Sequence, residues 1–183
     1  LYHVFPGIDL VYNDMHMEYC NKEQKVASSV VEINYCMEGR CECVFEQNEY
    51  GYIAAGDLSF CSLKKSGHVS EFPTSHYHGI TITLDFSRIT DKMKRILQLL
   101  SVNLEKIRNI SKTHSFTIIR ANHSIEHIFS ELYKVPEEIR YGYIRVKILE
   151  LLLVLTGFDL KKNTSEHVYF SEVQIDAIKQ VHV

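Results

Sequence analysis

A chain of 183 residues, 45% hydrophobic and 23% charged, is long enough to bury roughly two-thirds of its unfolded surface in a single domain. That composition excludes disorder and collagen-like or coiled-coil assemblies. A formal net charge of -3 argues against direct nucleic-acid binding by these residues, because such binding needs a basic excess to displace counterions.

The longest apolar run, Ile148 to Leu155, is interrupted by Glu150 and falls well short of the roughly 18 residues a membrane span needs. No membrane association is expected. No basic stretch followed by an apolar run and cleavage site opens the chain. Five cysteines (Cys20, Cys36, Cys41, Cys43, Cys61), an odd number in a chain of this size, indicate reduced thiols and a cytoplasmic location.

From Val26 to about Phe86 short β-branched and aromatic runs alternate with turn residues, the pattern of a sheet. Strands are predicted at 30–36 and 40–46, with Met37-Glu38-Gly39-Arg40 as a tight turn in which the glycine takes a positive φ. Gln47-Asn48-Glu49 turns the chain again. Further strands fall at 50–53, 57–63, 68–72 and 76–86, separated by Ala55-Gly56-Asp57 and Lys65-Ser66-Gly67. Connections this short leave no room for crossover helices, so the pairing is antiparallel and the product a small barrel or sandwich.

After Phe86 the apolar period lengthens to about 3.6. Ile96, Leu97, Leu99, Leu100 and Leu104 mark one helix; Ile125, Ile128, Phe129, Leu132 and Tyr133 mark a second that stops before Pro136. A third, 137–158, is apolar around more than half of its circumference and needs cover on two sides. The second cover is either the preceding helices or a helix of another copy. Residues 161–166 form a polar linker, and Ser171 with Gln174 makes a capping box for a helix whose pattern still runs at the chain end. A further domain is expected beyond it.

Two histidine groupings invite a metal reading. His123-Ser124-Ile125-Glu126-His127 has the order of inverted zinc peptidases, yet the apolar stripe through Ile125 and Phe129 puts both histidines on the solvated face. His76 and His78 share a strand face with Ile80, Ile82, Leu84 and Phe86 and point inward if those residues line the barrel. They then serve either as part of a metal site, with His68 or Glu32 as further donor, or as hydrogen-bonding partners of buried groups or a small organic ligand. There is no G-x-S-x-G elbow and no phosphate-binding glycine loop. Cys41 and Cys43 share a face and pack there as small apolar residues.

Taken together, Val31-Glu32-Ile33-Asn34-Tyr35, Glu38-Gly39-Arg40-Cys41-Glu42-Cys43, Gly56-Asp57-Leu58-Ser59 and His76-Tyr77-His78-Gly79-Ile80-Thr81 resemble the effector-binding barrel of AraC-type transcriptional regulators from Firmicutes. The stretches Glu131 to Ile139 and Val146 to Leu152 look like the helices that follow that barrel. The resemblance implies an α+β fold, an N-terminal antiparallel cupin-like β-barrel (1–90) followed by a helical dimerisation segment (91–160). Residues 161–183 then form a linker and the start of a connector to a DNA-binding domain of two helix-turn-helix units, absent from this chain. It implies a small-molecule effector held near Glu32, Phe60, His76 and His78. It also implies a homodimer through Ile144, Ile148, Leu151, Leu152 and Leu155. Of the metal ligands of cupin enzymes only Glu32 fits. The positions of the other three hold Val26, Ser28 and Ser59, so no metal, cofactor or catalysis is expected. The alternative is a metal-dependent cupin enzyme or a metal sensor using His76, His78 and Glu32. A third possibility is a dimerisation platform with a filled interior.

Overall fold

A computed structural model of the chain describes residues 1–21, 29–44, 50–62, 69–113 and 116–158. Expectations at 47–49, 65–67 and 159–183, and for Val26, Ser28 and His68, lie outside the described residues. The chain begins with β1 (Tyr2–Phe5), β2 (Ile8–Met15) and β3 (Tyr19–Asn21), three strands upstream of the pattern read from the sequence. Next comes β4, a single strand of 15 residues from Val30 to Val44. It replaces the expected hairpin 30–36/40–46. Gly39 does take a positive φ, 86°, but beside a bulge between Cys36 and Glu38 that bends the strand without reversing it.

Strands β5 (Tyr50–Ala54), β6 (Asp57–Ser62), β7 (Val69–Glu71) and β8 (Tyr77–Asp85) follow, at or within a few residues of their predicted positions. The β5–β6 turn is closed by Gly56 at φ 85° and by the Asp57 carboxylate, which accepts from the Ala54 amide at 2.9 Å. A ninth strand, β9 (Phe116–Arg120), pairs with β6 from within the stretch read as helical. One sheet runs β1-β2-β8-β4-β6-β9. The second half of β4 leaves it to pair with β5 and β7, and β7 pairs with β3. Every pairing is antiparallel, and β4 belongs to both layers.

The helices are α1 (Asp91–Leu99), α2 (Leu104–Thr113), α3 (His123–Tyr133) and α4 (Arg140–Gly157), the last entered through a 3-10 turn at Glu137–Ile139. Thr90 caps α1 by accepting from the Met93 amide, and Asn122 caps α3 by accepting from Ile125. The main core forms between these helices and the first sheet. Ile33, Leu58, Phe60, Ile80, Ile82 and Leu84 from the strands meet Ile107, Ile125, Phe129 and the inner face of α4. Tyr35 stacks flat on Phe129 with ring centroids 4.3 Å apart.

That packing corrects the expected dimer contacts. Ile144, Ile148, Leu151, Leu152 and Leu155 are all 0–1% exposed within the single chain, because α2, α3 and β1 pack around α4. The two covers that this helix needs come from its own chain. Among the described residues no helix is long and apolar enough to cross a membrane.

Candidate functional site

Strand parity builds a cavity between the two layers. Before the bulge the even residues of β4 point inward; the extra residue at the bulge switches parity, so Cys41 and Cys43 continue the inward row begun by Glu32 and Asn34. The inward row of β8 is Tyr77 and Thr81. With Met15, Phe72 and Phe116 among the other walls, these residues line a cavity of about 110 Å³.

One wall is a hydrogen-bonded polar strip. The Asn13 amide donates to Thr81 Oγ1 at 2.7 Å, and the Thr81 hydroxyl donates to Asn34 Oδ1 at 2.6 Å. Glu32 is buried on the same face as Asn34. The Ser59 hydroxyl, in register with Asn34 across the β4–β6 pair, is wholly buried with no hydrogen-bond partner among the described residues. Burial pushes the Cys36 thiol up to about 12 and the Tyr77 phenol well above its ordinary range, so both are neutral hydrogen-bonding groups at physiological pH. Among the described lining residues Glu32 is the charged one that faces inward, and none is lysine or arginine.

The four residues expected around an effector do not converge. Glu32 lines the cavity. Phe60 lies on the opposite face of β6, completely buried under the helices. His76 and His78 also leave the interior, since the face they share with Ile80, Ile82 and Leu84 is covered by helices instead of lining the barrel. The apolar face of β8 is the outside of the barrel, packed against the helices. Its partner face on β8 is just as buried, at Tyr77, Gly79 and Thr81. The signal for the true interior was present in β4, where Glu32 and Asn34 alternate with Val31, Ile33 and Tyr35.

Glu32 and the two histidines therefore stand on opposite faces of one sheet, and the metal set His76, His78 and Glu32 is excluded. The carboxylate brought to the histidines is Glu38, whose Oε2 lies 3.4 Å from His76 Nε2. His78 Nε2 lies 3.5 Å from Asp14 Oδ1, which is 3.0 Å from His16 Nε2. His123 and His127 are exposed on α3 and Ile125 is buried, as their spacing predicts.

No family model matches the chain, nor does any curated protein sequence. Solved structures do. ToxT from Vibrio cholerae with a bound unsaturated fatty acid superposes with TM-score 0.54 at 14% identity, over 93% of this chain and 60% of that one. A ToxT complex with (E)-4-(8-methylnaphthalen-1-yl)but-3-enoic acid gives 0.53 at 13% identity, covering 90% and 60%. The AraC-like transcriptional activator CuxR gives 0.52 at 11% identity, covering 99% and 61%. The fold is shared with an AraC-like regulator. The chain spans about three-fifths of the length of each of these structures. The α+β architecture expected from the AraC-type resemblance, a cupin-like antiparallel barrel carrying helices, is the one observed.

Proposed function

We propose that this chain is the ligand-sensing region of a cytoplasmic AraC-type transcription regulator and has no catalytic role of its own. The observation that carries this reading is a cavity with a polar strip, set between the two layers of a fold shared with AraC-like regulators. Contact with DNA falls to a helix-turn-helix domain outside these residues. The effector acts by binding the DNA-competent and DNA-incompetent arrangements unequally, since equal affinity shifts no equilibrium.

Charge and size narrow the effector. A cavity of about 110 Å³ is of the order of the ~150 Å³ that admits benzene and below the ~300–1,000 Å³ of drug-sized sites. The buried Glu32, with no lysine or arginine among the described lining residues, disfavours a carboxylate ligand, because like charges brought close together repel. A small neutral or cationic molecule with hydrogen-bond donors at one end suits the Glu32–Asn34–Thr81 strip. In this respect the cavity departs from the acids bound by ToxT. Thermal-shift screening of small amines, amides and alcohols against matched carboxylic acids tests the reading. Donor-bearing neutral or cationic compounds are expected to raise the melting temperature, an effect lost in Glu32→Gln. Selective stabilisation by carboxylates would overturn the charge argument.

The same reading includes a homodimer. With Ile144, Ile148, Leu151, Leu152 and Leu155 committed to the core, α4 offers its outward stripe, Val146 and Leu153 with Leu149 beside them. The double variant Val146→Glu/Leu153→Glu is expected to sediment as a folded monomer. A folded dimer would place the interface elsewhere.

A further inference from the structure

We propose that Glu38, His76 and His78 bind a divalent transition-metal ion on the outer, helix-side face of the barrel, with the Asp14 carboxylate beside His78. The register of three strands sets up this site. His78 of β8 pairs with Asp14 of β2 on one side and with Glu38 of β4 on the other, and cross-strand partners project from the same face. The β4 bulge is what makes this possible. Without its extra residue Glu38 would follow Glu32, Asn34 and Cys36 onto the cavity face. The positive φ of Gly39 holds the bend. A Cβ at that position would lie 2.1 Å from the His76 carbonyl oxygen, so the backbone beside Glu38 runs directly against His76 as only glycine allows.

The distances fit an ion. One ligand atom from each of Glu38, His76 and His78 lies within 4.8 Å of the other two. Bonds of 2.0–2.2 Å in tetrahedral geometry require neighbouring donors about 3.3–3.6 Å apart. The His76–Glu38 pair stands at 3.4 Å; Asp14, 3.5 Å from His78, lies outside this group of three. Two imidazoles with a carboxylate form a borderline donor set that suits Zn²⁺, Ni²⁺ or Co²⁺ and not Mg²⁺ or Ca²⁺, which prefer all-oxygen shells. His16 extends the cluster, its ring 5.0 Å from that of His76. Both ligand histidines are about one-third exposed, so an ion reaches them without opening the fold. The occupied site would clamp β2, β4 and β8 together beside Tyr133, the last residue of α3, whose ring lies 6.1 Å from His78. This site is on the opposite face of the sheet from the effector cavity and does not depend on it.

Isothermal titration of the full chain with ZnCl₂, repeated with CoCl₂, tests the assignment. One equivalent of each metal is expected, and bound Co²⁺ should show the strong visible absorption of a four-coordinate nitrogen and oxygen site. Removing an outer-shell partner typically weakens metal binding 10–100-fold. Loss of a direct ligand in Glu38→Gln, His76→Ala or His78→Ala is accordingly expected to weaken it by about a hundredfold or more, with circular dichroism unchanged. His78→Gln, of closer volume, gives the same result if the alanine variant fails to fold. Glu32→Gln in the cavity and His123→Ala on α3 should bind as the unaltered protein does. Absence of stoichiometric binding would overturn the proposal, as would binding that survives the triple variant or is lost only on Cys41→Ser/Cys43→Ser.

Discussion

The two faces of the first sheet invert the usual arrangement of a small barrel, whose interior is ordinarily filled by side chains while the outside meets water. The outer face carries Ile33, Leu58, Phe60, Ile80, Ile82 and Leu84, none with any accessible surface, and is roofed by four helices. The inner face, one residue out of phase on the same strands, carries Glu32, Asn34, Ser59, Cys61 and Thr81. The helices thus form the main core outside the barrel. The interior, freed from that duty, can hold polar groups and a cavity. Stability and recognition are assigned to alternate residues of the same strands.

The largest expected effect comes from the roof. Leu152→Glu places a carboxylate among wholly buried side chains, at a cost of several kcal/mol against a total stability of about 5–15 kcal/mol. Loss of the folded state by circular dichroism is expected. A folded, monomeric Leu152→Glu would restore this residue to a dimer interface and break the contrast.

Next comes a direct comparison across the sheet. Phe60→Ala should lower stability by about 3–5 kcal/mol in urea denaturation without changing which ligands stabilise the protein. Glu32→Gln, whose shape is nearly unchanged, should alter stability by about 1 kcal/mol or less and abolish the preference for donor-bearing ligands. The opposite pattern would mean that the faces have been assigned the wrong way round.

The smallest effect concerns pH. Burial, aided by the neighbouring Tyr2 hydroxyl, raises the Tyr12 phenol from its ordinary 10.0 to about 12, and burial raises the Cys36 thiol from 9.0 to about 12. The folded chain therefore holds protons that the unfolded chain releases. The stability contributed by these groups is complete below about pH 9 and is lost as pH rises toward 12. Tyr12 donates to the Leu132 carbonyl at 2.7 Å, tying β2 to α3. Tyr12→Phe should cost about 1 kcal/mol at neutral pH and flatten the decline between pH 10 and 12 in a series of denaturation curves.

Much of the local structure was legible from residue order. The stripe Ile125, Ile128, Phe129, Leu132 gave α3, and Pro136 its limit. Gly39 marked a positive-φ position and Ala55-Gly56-Asp57 a turn, and β6 and β8 lie within two residues of where alternation put them. The three N-terminal strands and β9 were not legible. Each is short or carries weak alternation, and each is held by partners distant in sequence, as β9 is by β6. Glu38 was missed as a companion of His78 because a bulge cannot be told from a turn when both use a positive-φ glycine.

By itself the sequence determined the antiparallel pairing, the amphipathic helix α3, the need of α4 for two covers, and the pairing of His76 with His78 on one strand face. The single helix expected through Ile96 and Leu104 is instead two, α1 ending at Leu99 and α2 starting at Leu104. Tertiary structure decided which face of the sheet became the interior, that the covers of α4 come from its own chain, and that Glu38 and Asp14, not Glu32, stand beside the histidines. The reason is that a period of two separates a strand's residues into two faces without saying what covers either one. When both faces are buried, as along β8, only the packing of helices contributed by residues 91–157 tells core from cavity.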